Sequence, residues 1–130
     1  MTIEEVLKIK KFLEGNYPKL KETGDEVFTM MLSEYDFSIM VEATKNYIKL
    51  NKFAPTIASL LEEYNKIIKH RKTEIVREMH KAGKFANATE FEKSLMYVER
   101  DIIPDWFRDM MIEFIKNDNQ LGNNKVKLLG

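Results

Sequence analysis

The chain has 130 residues, a length that one domain commonly fills, with 44% apolar and 32% charged side chains and a formal charge of zero. The absence of cysteine excludes disulfides, thiolate metal sites and thiol catalysis, while five Gly and three Pro leave little room for a many-turned all-β fold. No apolar run approaches the roughly 20 residues of a membrane span. The opening Met1-Thr2-Ile3-Glu4-Glu5 is acidic where a signal peptide is basic, so a cytoplasmic protein is expected.

Thr2 followed by Glu5 predicts a capping box, in which each side chain satisfies an amide that the first helical turn leaves unpaired. Ile3, Val6, Leu7, Ile9 and Leu13 then repeat at helical spacing. Gly15-Asn16-Tyr17-Pro18 predicts the end of that helix, with the glycine as a left-handed cap and the proline blocking continuation. A second helix is expected over about Asp25 to Leu32, and Asp36 caps a third that reaches about Asn51.

The third helix confines Ser38, Glu42, Lys45, Asn46 and Lys49 to an arc of roughly 100°. Phe37, Ile39, Met40, Val41, Ala43, Tyr47, Ile48 and Leu50 take most of the remainder, so this helix is expected to be packed on most sides. Lys52-Phe53-Ala54-Pro55 predicts a short loop, because a residue before proline avoids helical angles. Thr56 caps a long fourth helix to about Lys81, with Ile57, Leu60, Leu61, Tyr64, Ile67, Ile68, Ile75 and Met79 on one side. Arg71 and Lys72 interrupt that stripe and suggest a bend there.

Gly83 breaks the fourth helix, and Thr89 with Glu92 suggests a second capping box. Phe91, Leu95, Val98 and Ile102 form the stripe of a fifth helix. Pro104 fits the first turn of a sixth, which carries Trp106, Phe107, Met110, Met111, Phe114 and Ile115. The expected architecture is all-α: a compact domain of about five or six helices over 1–116, with a core over 3–82 and C-terminal helices over 88–116. Residues 117–130 are expected to form a flexible tail.

Charge is distributed unevenly. Residues 1–65 hold 8 basic and 11 acidic side chains, and residues 66–130 hold 13 and 10. On the fourth helix Lys66, Lys69, Arg77, Lys81 and, just beyond it, Lys84 lie opposite the apolar stripe. Such a face solubilises the helix or contacts an acidic partner or the phosphates of nucleic acid. No stacking aromatic shares it.

Gly15, Gly24, Gly83 and Gly122 are isolated, so no glycine-rich phosphate loop is present, and no Gly-x-Ser-x-Gly elbow accompanies the four Ser and two His. His70 and Glu74 stand one helical turn apart, but ten residues of helix put His80 about 15 Å from His70, too far for a shared metal. No catalytic residue, cofactor or metal is expected. The apolar face of the sixth helix, with Trp106, Phe107, Met110 and Met111, is wide enough either to serve the core or to dock a partner helix.

Phe28-Thr29-Met30-Met31-Leu32-Ser33-Glu34-Tyr35-Asp36-Phe37, followed by Tyr47-Ile48 and Lys52-Phe53-Ala54-Pro55-Thr56-Ile57-Ala58, resembles the phage replicative-helicase loader/inhibitor family. The resemblance covers roughly residues 3–70. It departs from the family at Phe28, where Trp is frequent, and at Ala54-Pro55, where two prolines are common. It implies an adaptor without an ATPase motif that binds the hexameric replicative helicase, restrains its ATPase and unwinding, and helps deliver it to the origin with an initiator protein. It further implies that the helicase contact is made largely by a C-terminal segment, here about Asp118 to Gly130. Val126, Leu128 and Leu129 would be its apolar anchors, and Lys125 and Lys127 its steering charges.

Overall fold

The computed structural model describes residues 1–117 and 128–129. Among these residues the secondary structure is six α-helices with 3-10 structure at Pro18–Glu22 and at 128–129, and no strand. The all-α expectation is met. The chain divides into two compact units, Met1–Ile67 and Ile68–Gly130.

In the first unit, α1 (Ile3–Asn16) opens with the expected capping box: Thr2 accepts from the Glu5 amide at 3.2 Å and Glu5 accepts from the Thr2 amide at 2.9 Å. Its end differs from expectation. Gly15 lies inside the helix, and the only glycine at positive φ among the described residues is Gly83. Tyr17, which the proline after it keeps out of helical angles at φ −133° and ψ 84°, terminates the helix, so no left-handed residue is needed. Pro18–Glu22 then form the 3-10 turn, and α2 (Asp25–Leu32) and α3 (Phe37–Leu50) follow. The Asp36 carboxylate caps α3 at the Ile39 amide, 3.1 Å away. The fourth helix, α4 (Ile57–Lys81), begins where the Thr56 hydroxyl accepts from the Ser59 amide at 3.1 Å.

The core of this unit is built from Val6, Ile9 and Leu13 of α1, Phe28 and Leu32 of α2, Ile39, Met40, Ala43 and Tyr47 of α3, and Leu60 and Tyr64 of α4. α3 is less enclosed than its composition suggests: Phe37, Val41 and Ile48 are half-buried, and Leu50, at the helix end, is 78% exposed. Its buried side instead includes Thr44, whose hydroxyl donates to the Met40 carbonyl at 2.7 Å and so enters the core already satisfied.

Lys10 is the one charged side chain in this core. Its ammonium lies 2.5 Å from Asp25 and 3.1 Å from Glu14, and 5.7 Å from the centre of the Phe28 ring. The hydrogen bond to Asp25 outweighs the cost of burial and raises the Lys10 pKa above its ordinary value. Three tyrosines close the loops: Tyr17 donates to the Asn51 carbonyl at 2.7 Å, Tyr47 to the Phe53 carbonyl at 3.0 Å, and Tyr64 accepts from the Asp36 amide at 3.1 Å.

The division between the units falls inside α4, which is a single α-helix through Arg71 and Lys72. In the second unit α4 contributes Ile75, Val76 and Met79 to the core. It stops at Gly83, whose φ of 72° turns the chain so that the Lys84 amide reaches the Met79 carbonyl at 3.0 Å. The next helix, α5 (Ala88–Glu99), is capped by Asn87, which accepts from the Glu90 amide at 3.0 Å, while Glu90 accepts from the Ala86 amide. The cap expected at Thr89 is therefore Asn87, two residues earlier, and Glu90 reaches the amide before the cap rather than the cap's own, so the reciprocal box with Glu92 is not what starts the helix. Asn is at least as good a cap as Thr, and the helix starts correspondingly earlier.

Asp101, at φ 53°, ends the α5 segment, and the Ile102 amide returns to the Tyr97 carbonyl at 2.9 Å. Ile102 thus lies past the helix and is exposed, and the buried side of α5 is Ser94 and Val98. The last helix, α6 (Asp105–Asn117), begins after Pro104, whose carbonyl accepts from the Phe107 and Arg108 amides; the proline stands just ahead of the first turn rather than within it. Phe107, Met111 and Ile115 are its buried residues.

Candidate partner-binding surfaces

No group of three or more His, Cys, Asp or Glu able to hold a metal occurs among the described residues. His70 instead meets Glu74 at 3.0 Å, one turn along α4. His80 stacks on Phe91, with centroids 4.0 Å apart and planes 14° from parallel, a packing role that its place on the polar face of α4 concealed.

The five basic positions are all exposed, Lys66 in the first unit and Lys69, Arg77, Lys81 and Lys84 in the second. Acidic neighbours temper three of them: Lys66 lies 3.3 Å from Glu63, Lys81 3.3 Å from Glu78, and Lys69 4.0 Å from Glu99. Exposed pairs of this kind are worth ~0–1 kcal/mol, so they offer little resistance to a competing anion. Lys72, half-buried, behaves differently. Burial lowers its pKa and the Arg108 charge adds to this, with Asp101 opposing.

α6 separates its four candidates. Trp106 is 62% exposed and Met110 half-buried, whereas Phe107 and Met111 are completely buried and serve the core. The Trp106 ring meets Tyr97 edge-on at 6.3 Å, and both line a cleft of about 180 Å³ with Phe85, Lys93 and Met110. Helical spacing explains the split, since residues 107, 111 and 115 lie on one side of the helix and 106 and 110 beside them. Of the C-terminal candidates, Lys125, Val126 and Lys127 lie outside the described residues. Leu128 and Leu129 are described and buried.

The first unit holds exposed apolar side chains that composition alone did not single out, among them Met30 at 74% and Phe53 at 83%. Ile9, Phe12, Phe37 and Val41 also line a groove of about 110 Å³ between α1 and α3, flanked by Lys8 and Lys45. One signal for it is present in the sequence: Phe12 falls at the edge of the Val6–Ile9–Leu13 stripe, where a large apolar residue is only partly covered.

Residues 1–61 match a family model for the N-terminal domain of the phage SPP1 helicase loader/inhibitor protein. No curated protein and no solved structure matches the chain.

Proposed function

We infer that this chain, whose residues 1–61 belong to the N-terminal domain family of the phage helicase loader/inhibitors, is a non-enzymatic adaptor for the hexameric replicative DNA helicase. It binds the helicase in the host cytoplasm, restrains ATP hydrolysis and unwinding, and helps load the ring at a phage origin together with an origin-binding initiator. The family match over 1–61 carries this reading. Exposed Met30, Phe53 and Trp106 support it, because large apolar side chains left in water lower their free energy when a partner covers them. An adaptor without a nucleotide site acts by binding energy alone: it slows the motor only insofar as it prefers one of its nucleotide states.

The test is co-elution with the replicative helicase, with and without ATP, using the full chain and a chain stopped at Asn117. Leu128 and Leu129 are themselves buried, so binding by the full chain that strengthens with ATP, and that weakens on truncation while the shortened chain keeps its thermal unfolding transition, supports both the adaptor and its C-terminal contact. Equal binding by the two forms removes the contact at Lys125–Leu129, and no binding by either removes the function. A second reading rests on the exposure of Lys66, Lys69, Arg77, Lys81 and Lys84: direct binding of nucleic acid, with affinity that falls steeply as salt rises and on reversal of Lys69, Arg77 and Lys81 to Glu.

A further inference from the structure

The groove between α1 and α3 has a composition that selects its ligand. Ile9 forms a buried part of its floor, Phe37 and Val41 are half-buried, and Phe12 remains 47% exposed. Thr44 lines it too, but its hydroxyl proton is committed to the Met40 carbonyl at 2.7 Å. A polar metabolite needs several convergent donors and acceptors, and this floor offers none. Its volume of about 110 Å³ is several times the ~10–15 Å³ that a single water requires, so it is roomy enough to take an apolar side chain.

The rim supplies the second half of the selection. Lys8 comes from α1 and Lys45 from α3, both are exposed, and neither joins an ion pair among the described residues. An apolar pocket between two unpaired ammonium groups is the complement of a helix that carries a large apolar residue flanked by carboxylates. A second copy of this chain fits less well, because a two-fold contact through the groove brings the same lysines toward each other.

We propose that the α1–α3 groove docks an acidic amphipathic helix of the protein partner, with its apolar residue seated between Lys8 and Lys45. This rests on the helicase-adaptor reading and gives the first unit a contact of its own, separate from the C-terminal segment.

The experiment is calorimetric titration of the full chain into the ATP-bound helicase hexamer. It compares the wild type with Lys8→Glu/Lys45→Glu, with Phe12→Ala, and with Lys19→Glu/Lys21→Glu, which makes the same charge change at exposed positions outside the groove. Thermal unfolding of each variant confirms that it folds. Weakening of about tenfold by the groove charge reversal, about fivefold by Phe12→Ala and less than about twofold by the control supports the proposal. If wild type binds and the groove variants match it, or match the control, the groove is not the contact and the adaptor reading stands. Loss of self-association or of DNA binding in the groove variants, with helicase binding unchanged, overturns the proposal in favour of those occupants. If wild type does not bind the helicase, the adaptor reading falls and the groove assignment falls with it.

Discussion

The two units stabilise their chain turns by different means. In Met1–Ile67, beside the local caps at Thr2, Asp36 and Thr56, tyrosine hydroxyls and a buried lysine tie residues distant in sequence: Tyr17 to Asn51, Tyr64 to Asp36, Lys10 to Asp25. In Ile68–Gly130, turns are made locally, by left-handed Gly83 and Asp101 and by the Asn87 cap, and rings stack between them. Long-range polar ties demand particular residues at particular positions, whereas local caps and apolar stripes can be satisfied by many sequences. The match to the family model, residues 1–61, contains both partners of the Tyr17–Asn51 and Lys10–Asp25 ties and stops short of Tyr64.

The largest effects test whether the units are separate cooperative bodies. Phe107→Ala in the second and Phe28→Ala in the first each remove a buried ring, at a cost of about 3–5 kcal/mol. Trp106 is the only tryptophan, so its fluorescence follows the second unit alone. Phe107→Ala is expected to lower that transition strongly and Phe28→Ala to leave it in place. Equal shifts from both variants would merge the units into one cooperative body.

A smaller pair sharpens the contrast between local and distant ties. Asn87→Ala removes the α5 cap and is expected to cost about 1 kcal/mol, with Thr89→Ala close to neutral. Tyr17→Phe removes the bond to the Asn51 carbonyl and is expected to cost a similar ~1 kcal/mol in the first unit. Chemical denaturation reads all three. A Thr89→Ala penalty equal to that of Asn87→Ala would contradict the cap assignment.

The smallest effect is alkaline, and its sign differs between the units. Lys10 has a raised pKa when folded, so its contribution is complete below about 10.5 and is lost as pH rises through the folded value. Tyr17 and Tyr35, pushed up chiefly by burial, act in the same direction above about 10: the unfolded chain ionises them first, which favours unfolding as pH rises, so their sign on stability matches that of Lys10 although the charge they would carry does not. Lys72 is lowered by burial, so the second unit gains stability as pH rises from the folded value of that lysine toward 10.5. Lys72→Met is therefore expected to stabilise the second unit at neutral pH and to abolish that gain. A stability profile of Lys72→Met parallel to wild type as pH rises toward 10.5 would refute the assignment.

Much of the fold was legible because it is local. The Thr2–Glu5 box, the bounds of α2, the Asp36 cap and the Gly83 stop each depend on residues within one turn of each other. The misplaced α5 cap arose where two nearby candidates competed, and the left-handed cap assigned to Gly15 arose where proline made it unnecessary. Lys10 and Thr44 were hidden because their partners, or the packing that buries them, become visible only in three dimensions. The candidate surfaces were less legible for the same reason. Trp106 and Met110 remain accessible while Phe107 and Met111 turn inward, a choice set by which side of α6 is covered. The groove needs two helices to exist at all, and its two walls, Lys8 to Phe12 and Phe37 to Lys45, come from separate stretches of the chain.

ATP hydrolysis by the replicative helicase hexamer, measured as this chain is added, tests the central claim most directly. Saturable suppression, with no hydrolysis by the chain alone, is the predicted result. Turnover that stays constant up to a large molar excess of folded protein, or ATPase activity residing in the chain itself, would contradict it.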